Sequence, residues 1–322
     1  MGRKLLAVTI GLVLAVSLGG IAKARAAGGP IVPGVAYGDE GVTAPGSGDR
    51  YVTLYSGART VVARVQQDGG RILRTRSAGG FGIPAVTIDG ESGGLSADGS
   101  TLVLVPANTR LRRKETTLRI LDAPNLRNRD RITLDGSFTF DAISPDGSRI
   151  YLIEYPAPPD TTHYLVRALD VRSGRLAPEP IVDPEEPPGE MRGYPLKRAT
   201  SPDGRWAYTL YDGNGEHPFI HALDTVEGRA VCIDLHQVRP NDVYRMRPAM
   251  STDGSTLTVS DRKSGPVAVV DTATFAVSDP SERDQGGRFP WLAVVLVPVA
   301  LAGAWLLART IRRRRPAPGG AR

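Results

Sequence analysis

The chain has 322 residues, 41% hydrophobic and 23% charged, a balance that excludes a disordered or collagen-like polymer and leaves room for one large or two ordinary domains. Its 37 glycines and 26 prolines, against 6% aromatics, favour many turns and short elements over long helices. The formal charge of +6 suggests a polyanion binder, but ten of the bases lie in residues 1–26 and 289–322, where there is no acid, leaving thirty bases against thirty-four acids between them. No nucleic-acid partner is therefore expected. The single cysteine, Cys232, excludes an intrachain disulfide framework and a cysteine-cluster zinc site.

In chain order, Arg3 and Lys4 precede an apolar stretch from Leu5 to Leu18 and then Ala24-Arg25-Ala26, the charged, apolar and small-residue order of a secretory signal peptide over residues 1–26. At the other end, Phe289 to Ala308 runs for 20 residues without a charge, the length of a transmembrane helix, with Trp291 and Trp305 near its ends. Arg309 and Arg312 to Arg315 follow it. By the positive-inside rule they place residues 309–322 in the cytoplasm and residues 27–288 outside a plasma membrane crossed once.

Between these segments the sequence repeats. Ser96-Ala97-Asp98-Gly99, Ser144-Pro145-Asp146-Gly147, Ser201-Pro202-Asp203-Gly204 and Ser251-Thr252-Asp253-Gly254 are versions of one tetrapeptide, and Thr43-Ala44-Pro45-Gly46 is a worn fifth. Each precedes an apolar, β-prone run: Tyr51 to Tyr55, Thr101 to Val105, Arg149 to Ile153, Trp206 to Leu210 and Thr256 to Val259. Proline presets the turn, aspartate caps its backbone and glycine accepts positive φ, so the motif predicts a tight turn feeding a strand.

A second marker, Leu169-Asp170-Val171-Arg172-Ser173-Gly174-Arg175 and Leu223-Asp224-Thr225-Val226-Glu227-Gly228-Arg229, has short forms at Leu121-Asp122 and Val270-Asp271 and a worn form at Val65-Gln66. It falls 20, 23, 23, 20 and 17 residues after the preceding turn glycine. Two markers in step predict four antiparallel strands per repeat of about 50 residues, the unit of a β-propeller blade. The expected fold is an all-β propeller of five blades, or six if residues 27–42 and 275–288 form a degenerate one, followed by one transmembrane helix.

These repeats resemble the Ser-Pro-Asp-Gly repeats of TolB and its relatives, and the Leu-Asp-x-x-x-Gly-Arg step is similar to that of YVTN-type bacterial surface propellers. The resemblance spans roughly residues 35 to 280. It implies a propeller fold and assigns no activity; TolB itself is a soluble periplasmic protein, and the expected C-terminal span of this chain departs from that pattern.

In such a fold the tetrapeptide acids Asp98, Asp146, Asp203 and Asp253 are expected to be turn caps, as are Asp122, Asp170 and Asp224. Candidate ligand or partner contacts on the opposite, loop-bearing face are Arg112 and Arg113 in the second blade, His163 in the third, Glu185 and Glu186 in the proline-rich insertion Ala177 to Pro195, Arg198 and His217 in the fourth, and Arg247 in the fifth. Asp141, Lys197, Arg198, Arg245 and Arg247 lie on strands before turns and give either a partly cationic channel mouth or a set of ordinary charge pairs.

No Gly-x-Ser-x-Gly elbow, His-Glu-x-x-His helix, phosphate-binding loop or metal-spaced histidine cluster occurs, so no catalytic residue, metal ligand or cofactor is assigned. Cys232, in the apolar stretch Ala230 to Leu235, reads as a small buried hydrophobe. The expected function is a binding module at the cell envelope with a protein or glycan partner. A hydrolase or lactonase-like propeller with a metal in its channel is the alternative.

Overall fold

The computed structural model describes residues 35–280 apart from 37–40, 45, 57–58, 69, 108–112, 158–159, 162 and 187–190. The expected signal peptide, transmembrane helix, basic tail and Arg112 lie outside the described residues. Among the described residues no helix is long and apolar enough to cross a membrane.

Five antiparallel sheets follow one another along the chain. Blade 1 takes Val42–Thr43 (β1), Asp49–Ser56 (β2), Arg59–Gln66 (β3) and Ile72–Ser77 (β4). Blade 2 takes Phe81–Gly82 (β5), Thr101–Pro106 (β6), Glu115–Asp122 (β7) and Arg127–Asp135 (β8). Blade 3 takes Phe138–Ile143 (β9), Arg149–Glu154 (β10), His163–Asp170 (β11) and Arg175–Leu176 (β12), with Met191–Arg192 (β13) added to β11. Blade 4 takes Pro195–Thr200 (β14), Trp206–Tyr211 (β15), Phe219–Asp224 (β16) and Arg229–Asp234 (β17). Blade 5 takes Met246–Met250 (β18), Thr256–Asp261 (β19), Gly265–Asp271 (β20) and Val277–Ser278 (β21). Every repeat marker falls where the sequence places it: the tetrapeptides join first strands to second, and the Leu-Asp steps join third strands to fourth. Of the segments weighed for a sixth blade, the described residues instead contribute Val42 to the first strand of blade 1 and Val277–Ser278 as the last of blade 5.

The tetrapeptide turn is built the same way four times. Its serine hydroxyl donates to the aspartate Oδ1 at 2.5 to 2.7 Å, and the same Oδ1 accepts the backbone N–H two residues further on at 2.9 to 3.0 Å. The serine oxygen in turn accepts the N–H that opens the second strand, at Thr101, Arg149, Trp206 and Thr256. Serine bonding holds Asp146 and Asp253 below the usual carboxylate range, Asp253 at about 2. The Leu-Asp turns obey the same logic, with Asp170, Asp224 and Asp271 accepting the N–H groups of the turn they begin.

Alternating apolar residues give each blade two faces, and four cores form between successive blades. Tyr51 and Val62 meet Leu102, Leu104 and Leu121. Val103, Leu118 and Ile120 meet Phe138, Phe140, Ile150 and Leu152. Tyr151, Ile153, Tyr164 and Val166 meet Ala207, Tyr211 and Leu223. Tyr208, Leu210 and Ile220 meet Leu257, Val259, Ala268 and Val270. A sheet buried on both faces is the packing of a propeller blade.

Two turn glycines separate backbone strain from packing. Gly46 has φ +69 with nothing within 4 Å of the point a methyl group would occupy, whereas Gly147 has φ +70 and a methyl there collides with the Thr101 side chain of the preceding blade. Gly46→Ala is expected to cost about 1 kcal/mol for the left-handed conformation alone, and Gly147→Ala about 1–3 kcal/mol more for the forced shift. Urea unfolding of the two variants measures the difference.

Candidate functional site

The first strands of the blades converge on a central cavity of about 560 Å³ lined by blades 1 to 4, from Gly41–Thr43, Val86, Ser92–Leu95, Phe140–Ile143, Arg198 and the tetrapeptide turn of blade 4. At one end the turns of blades 2, 3 and 4 close in on each other around Ala97, Pro145 and Pro202. The Gly204 turn packs directly on Ala97.

The cavity's charged group sits at its wall. Arg198, on β14, donates to the carboxylate and the backbone carbonyl of Asp141 on β9, and through Nε to Thr209 Oγ1 at 2.9 Å. Asp141 is only 2% exposed. A buried pair of this kind is held by its hydrogen bonds, because two desolvated charges do not repay their lost hydration by attraction alone.

Blade 2 contributes a loop where blades 3, 4 and 5 have a longer inner strand. Thr87 to Glu91 folds back on itself, with Val86 N–H donating to Glu91 O and Glu91 N–H to Thr87 Oγ1. This loop spans to blade 4: Ile88 N–H donates to Pro195 O at 2.9 Å, Arg198 N–H to Glu91 Oε2 at 2.7 Å, and Lys197 pairs with Asp89 and with Glu91. The sequence allowed a partly cationic mouth. The structure shows charge pairs instead, the other reading of these residues: Asp141, Asp89 and Glu91 neutralise Arg198 and Lys197, and Arg245 is held by Asp242 and Asp261. Arg247 lies exposed on β18, apart from the residues that line the cavity.

From Arg198 a polar row crosses blade 4 on the face toward blade 3: Thr209, His221 and Cys232 are cross-strand neighbours. His221 is fully buried beside Tyr211, ring centroids 6.3 Å apart, and neither ring nitrogen has a hydrogen-bond partner among the described residues. Burial pushes its pKa down to about 4. Cys232 is half-buried, and burial together with Asp183 and Glu186 pushes its thiol up to about 12, which keeps it unreactive.

The proline-rich insertion lies at the rim and away from the channel. Asp183 caps its own loop through Glu185 N–H and, through Oδ2, accepts Cys232 N–H on the outer strand of blade 4 at 2.6 Å. Glu185 and Glu186 are thus placed at the periphery. There Glu186 is raised by burial and by neighbouring Asp234 and Asp183.

His163 and His217 share the loop-bearing rim of blades 3 and 4. His163 bonds Asp160 at 2.7 Å and pairs in register with Arg192, which lies 3.8 Å from Glu216. His217 stands edge-on to His236 at 5.1 Å, so its partner is this histidine and not the buried His221. Asp212 knits the rim together, accepting from Tyr194 N–H at 2.8 Å and from the Tyr244 hydroxyl at 3.0 Å. Tyr244 leaves 60% of its surface exposed. Arg113 is half-buried on blade 2, and burial lowers its pKa. Of the candidate residues, the structure brings His163 and His217 to one rim and puts Arg198 alone in the cavity. Asp89, Glu91, Asp212 and Tyr244 were not legible as site residues; only the Asp-Gly-Glu-Ser-Gly-Gly run at 89–94, too polar for an inner strand, signalled the loop.

Among the described residues no group of three or more histidine, cysteine, aspartate or glutamate side chains is placed to hold a metal. No family model and no curated protein matches the chain. Solved structures with a similar arrangement include hydrazine synthase from Kuenenia stuttgartiensis (14% identity, 73% of this chain and 68% of that one, TM-score 0.45). TolB from Acinetobacter baumannii (12%, 77% and 53%, 0.44) and a putative TolB from Agrobacterium tumefaciens (14%, 77% and 79%, 0.41) are also similar. At such identities and scores the likenesses assign neither a family nor an activity.

Removing Arg198 leaves Asp141 charged, buried and unpaired. Arg198→Ala is expected to cost about 3–5 kcal/mol, and the Arg198→Met, Asp141→Leu double variant much less, as read by denaturant unfolding. His221 is neutral in the fold but protonates in the unfolded chain near pH 6.5, so stability falls as pH drops from about 6.5 to about 4, by on the order of 3 kcal/mol. His221→Leu is expected to flatten that part of the stability–pH curve.

Proposed function

We propose that this chain is a non-catalytic binding module of the cell envelope, tethered by residues 289–308 and displaying the loop-bearing rim of blades 3 to 5 to a protein or glycan partner. The observation that carries this reading is the state of the charged groups around the cavity. Arg198, Lys197, Asp141, Asp89 and Glu91 are engaged with one another in the wall, which suits a scaffold with a shaped recess better than a reactive centre. The rim offers what recognition uses: an exposed tyrosine fixed through its hydroxyl, two histidines in contact, and the Arg192–Glu216 pair.

Proximity labelling from the full chain in intact cells is expected to mark an envelope component, and Tyr244→Ala with His217→Ala to reduce that labelling at least fivefold. Protease added to intact cells is expected to cut the domain and spare the arginine tail. Labelling unaffected by the rim variant, or a stoichiometric, tightly held divalent ion accompanied by hydrolytic activity, overturns the reading.

A further inference from the structure

The charge of the domain is divided along the chain. Residues 35–135 hold 14 bases against 11 acids, and residues 136–280 hold 14 against 21. The basic half has a definite location. Toward blade 2, the outer half of blade 1 presents Arg64 on β3 with Arg74 and Arg76 on β4; Arg64 and Arg74 are direct cross-strand partners. Toward blade 1, the outer half of blade 2 presents Arg119 on β7 and Arg131 on β8, also direct cross-strand partners.

The faces are fixed by their neighbours in register. Val62 pairs with Arg76, Leu121 lies two residues from Arg119, and both belong to the core between these blades. Three arginines bond across the gap to backbone carbonyls, Arg64 to Pro124, Arg76 to Leu126 and Arg119 to Ala78, at 2.7 to 2.9 Å.

Like charges directly opposite on a sheet are unfavourable, and here two such pairs face one cleft. Among the described residues, ion pairs to nearby carboxylates cancel Arg64 alone. Asp49 is committed to Arg64 at 2.5 Å, and Glu115 and Asp135 lie further along the same face, beyond the bonded pair Thr117 and Thr133. Burial, with a further contribution from Arg76 and Arg131, lowers the pKa of Arg119. The side chains of Arg74 and Arg131 are exposed and carry no hydrogen bond or ion pair among the described residues.

We propose that the cleft between the outer halves of blades 1 and 2 binds an extended phosphate-bearing polymer, with Arg74 and Arg131 as free contacts and Arg64, Arg76 and Arg119 supplying field and further donors. Guanidinium groups pair with phosphate oxygens in a fixed, bidentate geometry. Five of them spread over two blades exceed what a single phosphate can engage, so the ligand carries several. Three of the arginines reach from one blade to the other, so the five form one band across both blades, along which an extended chain can lie. This cleft is separate from the central cavity and from the rim of blades 3 to 5.

The test is equilibrium binding of long-chain inorganic polyphosphate to the full chain at low and moderate salt. Binding is expected, weakening as salt rises, and the Arg74→Gln, Arg131→Gln variant is expected to bind at least tenfold more weakly. Arg172→Gln, which removes an exposed arginine on blade 3, is expected to stay within twofold. Thermal unfolding checks that the variants fold, and Arg131→Gln alone serves if the double variant does not. No binding, or an equal loss in the Arg172 variant, overturns the proposal. So does arginine-dependent binding to phosphatidylglycerol vesicles or to DNA with none to polyphosphate.

Discussion

The bond between a serine hydroxyl and an aspartate carboxylate two residues later governs this molecule. It closes the tight turn and frees the serine oxygen to accept the first N–H of the next strand, so one short contact fixes both the turn and the start of the second strand. Because the relay is local, it forms from neighbouring residues without help from the rest of the chain. Repeated in blades 2 to 5, it sets the phase of those four sheets, and that phase decides which side chains face the next blade. The four interblade cores follow from it.

The two markers made most of this legible. The second strands were readable to within about two residues because the turn chemistry leaves no freedom of register. The Leu-Asp step was legible in full only where glycine takes its sixth position, as at Gly174 and Gly228. In the short forms the same position is filled by Leu126 and Phe275, which still adopt φ of 52 and 59. The fold imposes the left-handed turn on residues that disfavour it, and burial offsets the strain: Leu126 is enclosed in the first core, and Phe275 packs edge-on to Trp206 at 5.3 Å. Conformation is retained where the sequence signal has faded.

Side-chain partnerships across blades were far less legible. Arg198 was readable as a channel residue because it lies three positions before a turn serine. Its neutralisation by Asp141, and of Lys197 by Asp89, joins residues more than fifty positions apart. The arginines of blades 1 and 2 are an instance of the same limit. Each lies in an ordinary alternating strand, and only the apposition of two blades makes them one surface. Insertions were the other blind spot: the acidic segment with Asp183 offered only candidate ligand contacts in the sequence, yet it satisfies an N–H on the outer edge of blade 4 that would otherwise be open.

The loop of blade 2 has a consequence for how the array comes apart. Repeat proteins ordinarily behave as a line of units in which each senses only its neighbours, so that an end can fray while the middle holds. Here Ile88, Asp89 and Glu91 bond blade 2 to blade 4, and the Gly204 turn rests on Ala97, so units two apart are coupled directly across the axis. Losing blade 4 then costs blade 2 its anchor as well as blade 3 its face. The middle of the array is thereby made a single cooperative block, and the outer blades are left as the parts free to open first.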